Sequence, residues 1–204
     1  ERAQAWGAIM RHYPNALCVA GTHGKTTTTS MCTHVFMAAE ADPTVMIGGT
    51  LPLLRSGYRV GQGDTIILES CEYCNSFLSF YPTVAVILNV EADHLDFFKD
   101  LEDIKRSFRR FAELVPAGGH VIVNADNAGA RDAAQGLDAF TFGLEPGAEC
   151  TAVNLREDKG RPVFDIHVHG TFYAHAELRV YGRHNVSNAL AAASAAYVLG
   201  LPGE

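Results

Sequence analysis

Apolar residues fall into short continuous runs along the chain, and glycine or polar residues end each run. The first run, Ala16 to Ala20, stops at Gly21 and precedes a threonine-rich segment that reaches Ala39. Further runs cover Thr44 to Ile47, Thr65 to Leu68, Val84 to Leu88 and His120 to Val123. Continuous apolar runs of this length are typical of strands that are buried on both faces.

A strongly amphipathic helix is predicted between two of these runs, with Asp100 as its N-cap. Apolar side chains recur there at helical spacing at Leu101, Ile104, Phe108, Phe111 and Leu114. Strands that alternate with helices indicate an α/β fold of P-loop type, with a mostly parallel sheet and helices on both faces. Ligands of such sheets bind at the carboxyl ends of the strands.

The pattern changes after Gly147, where polar and apolar residues begin to alternate. The alternating stretches are Thr151 to Arg156, Val163 to His169 and Phe172 to Val180. They predict a small antiparallel sheet near the C-terminus, followed by an alanine-rich helix from Val186 to Leu199. His167 and His169 share one face of their predicted strand, which we interpret as a solvated face, with metal binding as the alternative.

Length and composition indicate one domain over residues 1–204. The formal net charge of -7 argues against a non-specific nucleic-acid surface. No apolar run is long enough to cross a bilayer, so no membrane association is expected. The chain starts at Glu1 without an initiator Met or signal peptide, and its five cysteines fit a reducing cytoplasm. The spacing of Cys71 and Cys74 fits half a zinc site or a redox pair, but no second cysteine or histidine pair lies at zinc-finger spacing.

A phosphate-binding loop is predicted directly between the first strand and the following helix. Its sequence is Gly21-Thr22-His23-Gly24-Lys25-Thr26-Thr27. Glycines let backbone N–H groups face an anion, Lys25 suits the outer phosphates, and the Thr26 hydroxyl suits Mg²⁺. Val19 occupies the place of the first glycine of the general P-loop pattern, so the loop is shorter than usual. A glycine turn that merely caps a helix is the alternative.

Magnesium ligands are expected from neighbouring strand ends at the same edge of the sheet. Glu69 ends one apolar run, and His94 lies in the polar segment Asn89-Val90-Glu91-Ala92-Asp93-His94 after another. A solvated carboxylate is the alternative for Glu69, and a packed core histidine is the alternative for His94. For Glu91, Asp93 and Asp96, helix capping is at least as good an interpretation as ligation.

Three segments resemble the motifs of the Mur-type amide-bond ligases, in the same order. They are Ala20 to Met31, Asn89 to His94, and Gly182-Arg183-His184-Asn185-Val186-Ser187-Asn188. The resemblance implies that Lys25 and Thr26 hold the phosphates of ATP and a first Mg²⁺. It also implies that Glu69 binds magnesium, His94 serves a second metal position, and Asn185 and Asn188 contact the base. Without it, the two asparagines would be a helix cap and a polar surface residue.

The segment from Glu69 to Phe77 departs from the family pattern, which is usually richly acidic there. The Thr22-His23 pair resembles the member that joins L-alanine to UDP-N-acetylmuramate. That resemblance implies activation of a carboxylate by ATP, attack of the amine on the acyl phosphate, and release of ADP and phosphate. It also implies an N-terminal UDP-binding domain and a C-terminal domain outside this chain, and hence a fragment that does not catalyse the full reaction.

Two alternatives to this function remain. The first is a ligase of the same family that recycles a murein tripeptide, which has a similar phosphate loop. The second is a P-loop switch or binding module, in which nucleotide hydrolysis drives a partner. Such a module would hydrolyse nucleotide without an amino-acid acceptor and has no need for the asparagine pair at Asn185 and Asn188.

Overall fold

A computed structural model describes residues 2–203, and the two ends of the predicted domain, Glu1 and Glu204, lie outside the described residues. The helices are α1 (Arg2–Met10), α2 (Lys25–Ala38), α3 (Leu101–Ala112), α4 (Ala128–Ala133) and α5 (His184–Val198), with a 3₁₀ segment at Tyr73–Ser79. The strands are β1 (Asn15–Ala20), β2 (Thr44–Leu51), β3 (Ser56–Arg59), β4 (Thr65–Glu69), β5 (Val84–Ile87), β6 (His120–Asn124), β7 (Ala139–Gly143), β8 (Cys150–Asp158), β9 (Arg161–Val168) and β10 (Thr171–Glu177).

The strands form one ten-stranded sheet in the order β10-β9-β8-β7-β6-β5-β1-β4-β2-β3. In this order, every neighbouring pair between β8 and β2 is parallel. Strand β3 is antiparallel to β2, β9 is antiparallel to β8, and β10 is antiparallel to β9. Strand β1 lies between β4 and β5. The chain forms β2, β3 and β4 on one side of β1 and then crosses to the other side to form β5. At a reversal of this kind, ligands of such sheets bind beyond the carboxyl ends of the strands.

Each face of the sheet carries its own apolar core, because successive residues of a strand point to opposite sides. From β1, Leu17 and Val19 enter the core that α2 and α5 cover. Cys18 and Ala20 of the same strand enter the other core, together with Phe77 and the apolar stripe of α3. Burial on both faces explains why the parallel strands read as continuous apolar runs rather than alternating ones.

The predicted α/β class, the buried strands and the amphipathic helix are confirmed. Asp100 is the N-cap of α3, and its Oδ1 accepts from the Asp103 N–H at 2.8 Å. The antiparallel strands near the C-terminus are also present, and they extend the main sheet because β8 pairs with β7. Strands β3 and β7 and the short helix α4 were not predicted from the sequence.

The histidine pair of β9 is only partly as expected. Phe164, Ile166 and Val168 are buried, as predicted, and His167 is half-buried on the opposite face. His169 follows the end of the strand with a φ of 49°, so the two histidines do not share a strand face. No helix among residues 2–203 is long and apolar enough to cross a membrane.

Candidate nucleotide-binding site

The loop between β1 and α2 has the backbone shape that its glycines permit. Gly21 has a φ of 153°, and a Cβ there would lie 2.8 Å from the Leu88 Cβ. Gly24 has a φ of 86° and is the N-cap of α2, without a side-chain cap. The first N–H groups of α2, starting at Lys25, therefore have no partner within the helix. An unsatisfied helix start of this kind favours an anion.

The polar segment after β5 packs directly on this loop. The Asn89 carbonyl accepts from the Thr22 N–H at 3.0 Å, and the Asn89 side chain accepts from the His23 N–H at 2.7 Å. The Thr22 hydroxyl accepts from the Glu91 N–H at 3.0 Å. Thr22 and His23 thus use their N–H groups to hold the loop. The backbone donors left for a phosphate lie at the start of α2.

Lys25 folds back under the loop towards a carboxylate that the sequence interpretation overlooked. Its Nζ lies 2.9 and 3.2 Å from the two carboxylate oxygens of Glu72 and donates to the Gly21 carbonyl at 2.5 Å. The Glu72 side chain is 2% exposed and that of Lys25 is 14% exposed. Burial of a carboxylate is costly unless a cation and hydrogen-bond donors lie beside it, and Lys25 supplies both.

Glu69 emerges at the end of β4 beside the loop, as predicted. Its Oε1 accepts from the Thr26 hydroxyl at 2.9 Å, and its Oε2 accepts from the Gly48 N–H at 2.6 Å. A hydroxyl and a carboxylate at hydrogen-bond distance are oxygen donors of the kind that Mg²⁺ prefers. The donor set at Thr26 and Glu69 therefore suits magnesium chemically, and Gly48 is a contact that the sequence interpretation did not include.

His94 lies closer to Glu72 than to the predicted strand-end carboxylate. Its Nε2 is 3.8 Å from the Glu72 Oε1, and its ring packs on Tyr73 with 4.7 Å between centroids. The backbone of His94 is left-handed, with a φ of 52°, and its N–H donates to the Asp93 Oδ1 at 2.7 Å. His94 is thus partly exposed at the rim of the site and is not a packed core histidine.

The three other acidic residues of this region do not cap a helix. Glu91 lies 3.9 Å from the His23 Nε2, Asp93 accepts from the His94 N–H, and Asp96 accepts from the Tyr73 hydroxyl at 2.8 Å. The hydrogen bond to Asp96 raises the pKa of Tyr73. These contacts tie the loop after β5 to the phosphate loop and to the 3₁₀ segment.

Asn185 and Asn188 lie at the start of α5, next to the phosphate loop. They are only 7% and 8% exposed, and the Asn188 Nδ2 donates to the Asn185 Oδ1 at 3.0 Å. A Cβ on Gly24 would lie 2.7 Å from the Asn188 Oδ1. The alternative of a cap and a surface residue is wrong, because the N-cap of α5 is Arg183 and both asparagines are buried.

Two of the five cysteines border the site. Cys71 and Cys74 lie on either side of Glu72 in the chain and are exposed, whereas Cys18, Cys32 and Cys150 are buried. Desolvation of the thiol by its neighbours raises the pKa of Cys71, and the charges of Glu72 and Glu69 act in the same direction. A raised pKa keeps the thiol protonated and weakens it as a nucleophile or metal ligand. Among residues 2–203, no three histidine, cysteine or acidic side chains are already grouped to hold a metal ion.

Fold and loop together define a nucleotide-binding α/β domain of the P-loop type. Comparison with known proteins narrows this class, because the Mur ligase middle domain matches residues 19–196. The chain belongs to the Mur ligase family and corresponds to its middle domain.

Sequence identity to individual relatives supports this assignment. The chain is 42% identical over 207 residues to a UDP-N-acetylmuramate–L-alanine ligase of Caldanaerobacter subterraneus, a match that covers 100% of this chain and 45% of the relative. The chain therefore spans less than half the length of that curated relative.

Solved structures of the same family superpose on the whole fold. A UDP-N-acetylmuramate:L-alanyl-gamma-D-glutamyl-meso-diaminopimelate ligase from Neisseria meningitides has a TM-score of 0.87 at 29% identity, covering 99% of this chain and 67% of that one. A UDP-N-acetylmuramate-alanine ligase from Thermotoga maritima has a TM-score of 0.80 at 27% identity, covering 95% of this chain and 43% of that one.

Proposed function

We propose that this chain is the ATP-binding central domain of a ligase that joins L-alanine to UDP-N-acetylmuramate. The observation that carries the proposal is the convergence of Lys25, Thr26, Glu69 and Glu72 at one edge of the sheet. A cation and a hydroxyl at the start of a helix, beside two carboxylates, suit a triphosphate and its magnesium.

Each residue of this group has a distinct proposed role. The N–H groups at the start of α2 bind phosphate oxygens, and Lys25 moves from Glu72 to the outer phosphates when nucleotide enters. Thr26 and Glu69 hold the first magnesium, and His94 serves a second metal position beside Glu72. Magnesium supplies counter-charge, which lets an anionic carboxylate approach an anionic triphosphate. Asn185 and Asn188 contact the base from the start of α5.

The proposed reaction is the one for which these relatives are named. The γ-phosphoryl group passes from ATP to the carboxylate of UDP-N-acetylmuramate, and ADP leaves. The amine of L-alanine then attacks the acyl phosphate, which forms the amide, releases phosphate and loses a proton. No side chain of this domain acts as a nucleophile, which agrees with a protonated Cys71.

Small molecules rather than macromolecules are the proposed partners. The net charge of -7 disfavours nucleic acid, and the five free thiols agree with a cytoplasmic location. We further propose that residues 1–204 form one domain of a longer enzyme, because the chain covers 45% of a curated relative. On its own, the domain is expected to bind nucleotide weakly and to release no phosphate in response to L-alanine.

Nucleotide binding by the chain tests the site. A fluorescent ATP analogue is titrated with Mg²⁺ or with EDTA, and Lys25→Ala is compared with Lys99→Ala, which removes an exposed lysine from a loop. Lys25→Ala is expected to weaken binding at least tenfold, and Lys99→Ala less than twofold. Equal affinity for both variants would contradict the proposed site.

The recycling ligase for a murein tripeptide is the second candidate, favoured by the TM-score of 0.87 to the Neisseria enzyme. Amide formation by the whole enzyme, measured with L-alanine and with the tripeptide at equal concentration, separates the two. Preference for L-alanine supports the proposal. Preference for the tripeptide would favour the recycling ligase instead. Nucleotide hydrolysis that needs neither acceptor would indicate a switch module.

A further inference from the structure

The carboxylate of Glu69 is held at both oxygens, and only one of the two partners is a side chain. Thr26 donates its hydroxyl to Oε1 at 2.9 Å, and the Gly48 N–H donates to Oε2 at 2.6 Å. A short hydrogen bond from a backbone N–H to a charged carboxylate is among the stronger contacts of its kind. Glu69 is therefore oriented by the neighbouring strand β2 as well as by the phosphate loop.

Register explains why Gly48 reaches this position. Strands β2 and β4 run in parallel, with Met46 paired to Leu68, so Gly48 lies just beyond the strand tip that carries Glu69. A Cβ on Gly48 would lie 2.8 and 2.9 Å from the two carboxylate oxygens. A side chain at this position would therefore displace the carboxylate, whereas glycine leaves room for both of its oxygens.

The next residue offers a matched comparison. A Cβ on Gly49 would meet the Thr26 Cγ2 at 3.5 Å, an ordinary van der Waals contact, and no other heavy atom within 4 Å. Neither glycine is among those with a positive φ. Alanine therefore fits the backbone at both positions, and the two substitutions differ in what they do to Glu69.

We propose that Gly48 is a positioning residue for the metal-binding carboxylate of Glu69. Its N–H fixes one carboxylate oxygen, its missing side chain leaves room for the other, and the oriented carboxylate receives the magnesium of the bound nucleotide. This inference rests on the proposed function of the site. Its consequence is that Gly48 contributes to metal-dependent nucleotide binding without touching nucleotide.

Nucleotide affinity measured with Mg²⁺ and with EDTA tests the inference in Gly48→Ala and Gly49→Ala. Substituting a group that orients a metal ligand typically weakens metal binding about 10–100-fold. Gly48→Ala is therefore expected to reduce the strengthening of nucleotide binding by Mg²⁺ about tenfold, with the EDTA affinity changed less than twofold. Gly49→Ala is expected to change neither value more than twofold. A crystal structure of Gly48→Ala should show the bond between Thr26 and Glu69 broken.

A Glu69→Ala background separates the clash from general damage to the fold. Gly48→Ala is expected to have no further effect there, because the carboxylate that it displaces is absent. An additive loss in that background, an equal loss with Mg²⁺ and EDTA, or equal behaviour of the two alanine variants would overturn the inference. Wild-type binding that ignores Mg²⁺ would instead refute the proposed metal site, on which the inference depends.

Discussion

The buried pair of Lys25 and Glu72 gives the sharpest stability prediction. Lys25→Met removes the cation and leaves the carboxylate of Glu72, which is 2% exposed, without a counter-charge. Breaking a buried ion pair from one side costs about 3–5 kcal/mol. For a chain of this size each kcal/mol lowers Tm by about 2–4 °C, so we expect a fall of roughly 6–20 °C.

The reverse substitution should cost less. In Glu72→Leu the ammonium of Lys25 keeps the carbonyl oxygens of Gly21 and Thr22, at 2.5 and 3.3 Å. Loss of a charged hydrogen-bond partner then costs about 1.5–3 kcal/mol. The double variant Lys25→Met with Glu72→Leu replaces the pair by apolar groups. Its loss of unfolding free energy should be smaller than the sum of the two single losses by about 1 kcal/mol or more.

Urea unfolding of the nucleotide-free chain measures all three variants. Lys105→Met serves as the control, because Lys105 pairs at 2.8 Å with both Asp132 and Glu102, and these carboxylates are exposed, unlike that of Glu72. Exposed pairs contribute about 1 kcal/mol or less. If Lys25→Met were as stable as the control variant, or if the double variant showed the simple sum of the two single losses, the buried pair would not have the energetic role described here.

Three further predictions concern other parts of the chain. The hydrogen bond to Asp165 raises the pKa of His175 above 6.5, so its contribution to stability is fully present below that value and is lost as pH rises through the raised pKa. The urea midpoints of wild type and His175→Gln should therefore converge as pH rises from about 6 to about 9, a range that brackets the titration of histidine. A difference between the two midpoints that stays constant with pH would contradict this. Gly24→Ala should cost more stability and nucleotide affinity than Gly118→Ala, since both have a positive φ but only Gly24 faces a side chain within 4 Å; equal losses would contradict the packing of α5 on the loop. Iodoacetamide at neutral pH should modify Cys71 more slowly than free cysteine, as read by mass spectrometry, because its pKa is raised; faster modification would argue for an activated thiol.

The elements that the sequence predicted share strong local signals. Strands such as β1 and β5 contain continuous apolar runs, and α3 carries an apolar stripe with a capping aspartate. The missed elements lack such signals. Strand β3 is a short polar edge strand, and α4 has six residues, so their structure depends on neighbours that a local pattern does not contain.

The site was predictable where chemistry and chain position coincide. Lys25 and Thr26 begin the helix that follows β1, and Glu69 is the last residue of β4, so the parallel pairing of β1 and β4 brings them to the same edge of the sheet. Glu72 was missed because its burial depends on the 3₁₀ segment, in which Cys74 and Asn75 have left-handed backbones. Nothing in the local sequence indicates that turn.

The position of Gly48 beside Glu69 and the burial of Asn188 both depend on contacts between elements far apart in the chain. Gly48 meets Glu69 across 21 residues, and Asn188 packs on Gly24 from the last helix. Distances of this kind follow from sheet register and helix packing. A sequence pattern alone does not contain them.

A crystal structure of the chain with magnesium and a non-hydrolysable ATP analogue would locate both the nucleotide and the ion on the sheet. We expect the β- and γ-phosphates at the start of α2, with Lys25 turned from Glu72 to the phosphates and the ion contacted by Thr26 and Glu69. A nucleotide bound elsewhere on the sheet, or an ion without contact to either residue, would contradict it.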